Sequence, residues 1–447
     1  MLSRKKQIQR VLKLVLFVAF LFPVYTKAQT ALSLQQAQDY ALKNALEIKN
    51  ARYDAEVAKL QSDELLGIGL PQVNASLQYQ NFITLATQVV DGAFFGAPGQ
   101  EVRLQFGLPH NMTASLNASQ LLFDGSWLVG LQASRAYAEL QKKNLSKSEI
   151  DLKASVAQAY YAAVITNERL EFTKQTRAVL AQMTDETKAF FEAGYLEEQD
   201  YEQLQLSLSQ VDNFISSLEA AAKLTKDLLK FSIGMPLTED ISLSDSAEVL
   251  MQSQDVLSVS FNADNTIDVQ LAMSGLNMQE LNLKNERAKF LPNAALFYSL
   301  QSQAFRQEFN FLDTSKPWFA PQLWGFQINL PIITGGSQMK RVQKARVEVQ
   351  RMKDSLDKVK QAKLLEYNST RTEYMTALDS YNHATKSLEL AQKILYKNGI
   401  KFKEGIISSM DVSQSTTQVL EAQQNLAQAK QNLMNATVKL KKALNTL

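Results

Sequence analysis

Side chains able to do chemistry are scarce in this sequence. Cysteine is absent and histidine occurs twice, at His110 and His383. The two lie far apart and have no neighbours at metal-ligand spacing, so neither a thiolate nor an imidazole centre has raw material. His110 falls in a loop just before an alternating segment and His383 in a long polar helical stretch, and both read as solvated. The carboxylates Glu197, Glu198 and Asp200 cluster beside Gly194. Such a run reads as the solvated start of a helix, where acidic side chains meet exposed backbone N–H groups. No nucleophile is set beside a base on a loop. An enzyme, a metal centre and a cofactor are therefore not expected, and a surface-bound hydrolase is set aside on the same ground.

The elements that carry these residues are legible from where chain breakers are missing. Only 16 Gly and 9 Pro occur in 447 residues, with 45% apolar and 21% charged side chains, a composition of long uninterrupted elements rather than of disorder. Neither Gly nor Pro interrupts the chain between Gly130 and Gly194 or between Gly336 and Gly399. At ~1.5 Å per residue each stretch predicts a helix of about 90 Å, longer than an ordinary globular core. Shorter breaker-free stretches, Ala31 to Leu66, Tyr195 to Ile233 and Ile406 to Leu447, carry stripes stepping by three and four. Ala37 to Leu65, Leu208 to Leu229 and Val419 to Leu440 each keep the 3.5-residue repeat of helices packed knobs into holes.

The overall charge of +2 hides an asymmetry. Residues 1–28 hold six of the 47 basic side chains and none of the 45 acidic ones, so the remainder carries 41 against 45, a net −4. Nucleic-acid binding has no electrostatic footprint there. The segment itself, basic at its start, apolar from Leu14 to Val24 and ending Thr26-Lys27-Ala28 before Gln29, reads as a cleaved secretory signal. With no Cys at the cleavage point a lipoprotein is not expected, so any hold on a membrane falls to the fold.

The chain is written twice. Adding 211 takes the stripe beginning at Leu208 onto that beginning at Val419, Gly194 onto Gly405 and Asp200 onto Asp411, and adding 221 takes Leu70-Pro71 onto Leu291-Pro292. Such self-similarity predicts one structural unit built twice, over residues 29–240 and 241–447. After each Leu-Pro the period changes to two. Val73, Ala75, Leu77 and Tyr79 alternate with polar residues, as do Met112, Ala114, Leu116 and Ala118, then Ala294, Leu296, Tyr298 and Leu300, and finally Trp324, Phe326, Ile328 and Leu330. Four strands follow, near 72–81, 112–122, 293–303 and 322–330, each apolar on one face and polar but uncharged on the other. That is the signature of a lipid-facing, water-lined β-barrel.

Aromatic residues, among them Tyr79, Phe82, Phe94, Phe95, Trp318, Phe319, Trp324 and Phe326, gather on or beside these strands, as at a membrane interface. Long outer loops are expected from Asn81 to Asn111 and from Ser302 to Pro321. At the opposite ends Pro71, Gly125, Pro292 and Gly335 mark switches between strand and helix, since Pro cannot donate to a ladder and Gly permits turns. Trp127 reads as packing at that bend. Four strands cannot close, and an open edge in hydrocarbon leaves backbone groups unpaired at several kcal/mol each. Chains must pool strands, and the smallest ring with a hollow interior is a homotrimer of twelve strands. Its helices extend the wall as a helical barrel.

These residues carry a family likeness. The secretory signal, duplicated halves, Leu-Pro before each first strand, Phe123-Asp124-Gly125, and a Gly followed six residues later by Asp200 or Asp411 together resemble the TolC-like outer-membrane efflux proteins. The resemblance implies a mainly α fold with a transmembrane β-barrel, a trimeric channel-tunnel in the outer membrane of a Gram-negative bacterium. It also implies a periplasmic helical barrel that docks to a periplasmic adaptor protein and an inner-membrane pump. Such proteins pass cargo outward, in efflux or type I secretion, without chemistry on it. The resemblance places Asp411 as one acidic pore ring at the periplasmic gate, with Gln414 where the family has a second acid, Asp200 and Gln203 as the first-half counterparts, and Phe402 where the family has Tyr. A periplasmic coiled-coil adaptor or structural protein without a pore is the other class weighed. It accounts for the heptads but not for four alternating strands.

Overall fold

The computed structural model describes residues 30–96, 98–251 and 256–447, so the predicted secretory segment 1–28 lies outside the described residues. Strand β1 (Thr30–Leu32) leads into helices α1 (Leu34–Asn44) and α2 (Leu46–Ile68). Strands β2 (Gln72–Asn81), β3 (Thr87–Asp91), β4 (Glu101–Gln105) and β5 (His110–Asp124) follow, then the long helix α3 (Gly125–Glu192) and its return α4 (Glu198–Ile233). Next come β6 (Ile241–Leu243), α5 (Ala247–Met251), α6 (Ile267–Ala288), β7 (Asn293–Arg306), β8 (Gln322–Asn329), α7 (Ser337–Lys403) and α8 (Ser409–Ala443). With 68 and 67 residues, α3 and α7 are each about 100 Å long. Their matched lengths follow from the matched gaps between glycines in the two halves.

Residues 46–151, 257–371 and 440–447 form one compact unit, which holds the sheet. Its order is β2-β5-β7-β8, antiparallel throughout. Register places apolar residues in rows across the strands: Val73 faces Ala118, which faces Tyr298, which faces Trp324. The other face is polar, where Ser76 Oγ lies 2.7 Å from Ser115 Oγ and the Ser299 hydroxyl donates to Asn117 Oδ1 at 2.6 Å. Phe297 is an exception on the polar face. A Cβ on Gly325 opposite would lie 2.9 Å from its ring, so the missing side chain there makes room for it. The apolar face stays uncovered within the chain, with Leu77 69%, Trp324 74% and Phe326 68% exposed. That is what an oil-facing surface requires and a water-facing one avoids.

The strand ends depart from the sequence reading in three places. β5 runs on to Asp124, with a bulge between Leu121 and Phe123, and β7 reaches Arg306. The stretch from Asn81 to Asn111 is no irregular loop, because β3 and β4 pair within it, Val90 opposite Val102. His110 opens β5 rather than lying in a loop; it is half-buried, with its Nδ1 2.8 Å from the Tyr79 hydroxyl and Phe309 edge-on against it. His383 is exposed, as the polar helix predicts.

The other unit comprises, of the described residues, 30–45, 152–251, 256 and 372–439. Here the heptad stripes form the core. Val211, Leu218, Ala222 and Leu229 on α4 are buried, as are Val419, Leu426, Leu433 and Ala436 on α8. Two features were not foreseen. β1 and β6 pair in parallel over three residues, too short for a pattern to show. The predicted Ala31 to Leu66 helix breaks at Ala45, which is extended at ψ 133. A Cβ on Gly234 would lie 3.0 Å from Asn44 O, so the α4 C-cap glycine, at φ +74, lets the break pack against it.

Candidate functional site

Each long helix ends in the same bend. Gly194 and Gly405 adopt φ of +79 and +72, a left-handed conformation that glycine takes at no steric cost. Tyr195 N–H then donates to Phe190 O, and Ile406 N–H to Lys401 O, both at 2.9 Å, closing the helix ends as Schellman turns do. In both halves the following helix restarts with the same bond: Asp200 N–H to Glu197 O and Asp411 N–H to Ser408 O, each 3.1 Å. The offset of 211 is thus also a repeat of backbone geometry.

The two restarts are capped differently. Ser408 N–H and the Ser408 hydroxyl donate to Asp411 Oδ2 at 3.0 and 2.8 Å, and Asp411 N–H donates to Ser408 Oγ at 3.4 Å. This reciprocal box satisfies donors at the start of α8. In the first half Glu197 makes no side-chain cap. Asp200 Oδ1 instead accepts from Ser409 N–H in the second half at 3.3 Å. Gln203 Nε2 donates to Ser413 Oγ at 3.3 Å, and Ser207 Oγ lies 2.6 Å from Ser413 Oγ. Asp200 and Gln203 therefore join a polar seam between α4 and α8. Asp411 and Gln414 are exposed and stand apart from it.

Phe402 is buried below the bends, in a cluster with Leu180, Met183, Leu204, Val211 and Val412. Its ring serves the core of this end, with no hydroxyl to offer a polar link. Ion pairs flank the cluster, Lys403 with Glu186 at 2.7 Å and Arg177 with Asp212 at 2.6 Å. The hydrogen bond from Lys403 lowers the Glu186 pKa, and that from Arg177 lowers the Asp212 pKa. Both carboxylates are well solvated, so these pairs fix geometry more than they add stability.

Hydrogen bonds from the Ser408 hydroxyl first and its backbone N–H second hold the Asp411 carboxyl below its ordinary 3.8. A depressed carboxyl pKa stabilises the fold above the unfolded value, and that contribution is lost as pH falls through the folded value. The first turn of α8 should consequently lose amide-exchange protection as pH drops from 5 toward 2. Asp411→Asn should flatten this response while leaving the Gly405 bend protected. An unchanged pH response in the variant would assign the effect elsewhere.

At the strand–helix junctions Pro71 and Pro292 stand just before β2 and β7, Gly125 opens α3 and Gly335 lies in the turn before α7. Leu70 N–H donates to Gly67 O at 3.0 Å before Pro71, and Leu291 N–H to Ala288 O at 2.9 Å before Pro292. A Cβ on Gly125 would meet Leu291 Cδ1 at 2.8 Å, and Gly335 takes φ +59. The sequence reading places Asp124 at this junction but does not foresee its capping role or the space left by Gly69. Asp124 Oδ1 accepts from Ser126 and Trp127 N–H at 2.7 and 3.0 Å, capping α3. The signal was present, an Asp just ahead of a breaker-free run. Gly69 leaves space for Trp127, whose Nε1–H donates to Leu65 O at 2.9 Å.

Among the described residues no helix is long and apolar enough to cross a membrane, and no group of three or more His, Cys, Asp or Glu could hold a metal ion. Residues 264–446 match the model of the outer membrane efflux protein family. The chain is 22% identical to outer membrane protein TolC of Vibrio cholerae serotype O1 over 357 residues, 75% of this chain and 77% of that protein. Over that span this chain is similar to TolC. Its fold agrees. The solved structure of CusC superposes with a TM-score of 0.71 at 16% identity over 95% of both chains. That of the outer membrane protein VceC from Vibrio cholerae gives 0.69 at 16% identity, over 92% of this chain and 95% of that one. The family match takes in β7, β8, α7 and α8, and with them Phe402, Asp411 and Gln414.

Proposed function

We propose that this chain is the outer-membrane exit channel of a tripartite efflux or type I secretion system, conducting cargo passively and performing no chemistry on it. The observation that carries this reading is the four-stranded sheet. One face is a continuous apolar surface open to the surroundings, the other is polar, and neither β2 nor β8 has a strand on its outer side among the described residues. Hydrocarbon tolerates such a sheet only when its edges are closed. Three copies, each β8 meeting the next copy's β2, give a ring of twelve strands with a wet interior.

The helical ends at Gly194 and Gly405 form the periplasmic mouth in this reading. Tyr195 and Ile406, 211 apart, are 79% and 67% exposed there, offering paired apolar contacts to a periplasmic adaptor, behind which stands an inner-membrane pump. The exposed Asp411 carboxylates of three copies ring the mouth, with Gln414 beside them. Asp200 and Gln203 hold the neighbouring α4–α8 seam together.

Purified protein in planar lipid bilayers should show single-channel conductance. A multivalent cation added from the periplasmic side should block it, more weakly at high salt, because three like charges around a narrow opening attract cations. Asp411→Asn should raise the blocking concentration at least about tenfold, while Asp200→Asn should act mainly on the packing of the bends. Failure to conduct sinks the channel reading. Conductance with block unchanged by Asp411→Asn removes the ring alone.

A further inference from the structure

The two halves differ sharply in charge where helix meets strand. From Ser337 to Lys353, α7 carries six basic side chains against Glu348 alone, whereas the matching start of α3, Ser126 to Lys142, holds only Arg135, Glu139 and Lys142. The last two turns of α6 add Lys284 and Arg287, and Lys289 follows at its C-cap. Between α6 and α7 lies a groove of about 850 Å³, whose charged walls are Lys284, Arg287, Arg346 and Lys353 against Glu280, over a floor including Leu283 and Val349. Lys284 Nζ donates to Gln132 Oε1 at 2.8 Å. Arg287, Arg346 and Lys353 have no ion-pair partner among the described residues, although neighbours Lys289 and Arg351 pair with Glu286 and Glu348.

A second observation says what such a groove faces. Toward the strands its walls turn apolar: Met339, one heptad before Arg346 on the same face of α7, is 62% exposed, and Leu291 beyond α6 is 50% exposed. Past Met339 the outward stripe of β8 continues, with Ile328, Leu330 and Ile332 60%, 55% and 84% exposed. Unpaired cations next to an apolar ledge match an anionic headgroup whose tail lies along that ledge. We infer that the α6–α7 groove binds the phosphate of an anionic phospholipid in the periplasmic leaflet, with the acyl chain passing Met339 and Ile332. This rests on the membrane placement proposed above.

The test uses the full-length protein in detergent, with native mass spectrometry to count retained phosphatidylglycerol against phosphatidylcholine, and bilayer conductance recorded on the same preparations. Each basic side chain at an anionic surface changes affinity about fivefold. The Arg287→Gln, Arg346→Gln, Lys353→Gln triple variant should therefore lose the phosphatidylglycerol preference by roughly a hundredfold, with conductance unchanged. Arg346→Gln alone should lose about fivefold, which keeps the test alive if the triple variant misfolds. Equal retention of both lipids by the wild type overturns the inference, as does a preference that survives neutralisation. Displacement of phosphatidylglycerol by millimolar inorganic phosphate would show a site for free anions, and a changed anion-to-cation permeability with lipid retention intact would place the groove in the lumen; either result also overturns it. A wild type that conducts but shows no lipid preference rejects the groove alone. Lipid preference without conductance rejects the channel instead.

Discussion

Leu77→Arg should abolish recovery of the protein from the outer membrane as a stable oligomer, whereas Gln78→Arg, one residue along the same strand, should leave it nearly intact. Leu77 sits near the middle of β2 on the apolar face, opposite Ala114, and is 69% exposed. A cation on the lipid face near the bilayer midplane costs about 2–4 kcal/mol. The proposed trimer carries the change three times, so the penalty reaches about 6–12 kcal/mol per assembly, comparable with the whole stability of many folded proteins. Gln78 is on the polar face opposite Thr113, where an arginine projects into water. Membrane fractionation followed by electrophoresis without heating separates the cases. Equal yields of the two variants would mean that the sheet does not face lipid, and the proposed barrel would fall with that assignment.

The second large effect is expected at Tyr160. Its ring is fully buried, and its hydroxyl donates to Leu32 O at 2.9 Å and accepts from Asp245 N–H at 3.3 Å. Asp245 Oδ2 accepts in turn from Leu34 N–H at 2.8 Å. One side chain thus fastens β1 and the start of α1 to the segment after β6. Burial pushes the Tyr160 hydroxyl up to about 12, so it stays a neutral donor at any pH the protein meets. Tyr160→Ala should cost about 3–5 kcal/mol through the cavity it leaves. Tyr160→Phe should cost about 1–3 kcal/mol, because the Leu32 carbonyl keeps its burial and loses its donor. Denaturant unfolding gives both values, and limited proteolysis near residues 30–34 should rise in both variants. A Phe variant as stable and as protected as the wild type would show that the hydroxyl contributes nothing to holding β1.

What was legible in the sequence was periodic. Val211, Leu218 and Leu229 announce a helix face by their spacing and are buried on it, and Leu77 and Trp324 announce strands and show their exposed apolar side. Repetition exposed the paired bends, because a Gly and an Asp at fixed separation recur 211 residues on. What was hidden depends on single contacts or on partners distant in the chain. Three residues of β1 beside three of β6 have no period to detect. Ala45 looks like any helical alanine until Gly234 is seen against it. Asp200 and Asp411 are equivalent by position, yet one caps its own half and the other accepts from the opposite half. The difference lies in Ser408, whose first-half counterpart is Glu197. A carboxylate there has no proton to donate to Asp200, which turns to Ser409.

That crossed bond sets how this end of the molecule can move. Through Asp200 to Ser409, Gln203 to Ser413 and Ser207 to Ser413, each helical bend is stitched to its sibling. A pull on one is handed to the other before either hinge yields. The smallest part able to swing aside is therefore a pair of hairpins, and the proposed ring of three chains would open in three leaves rather than six.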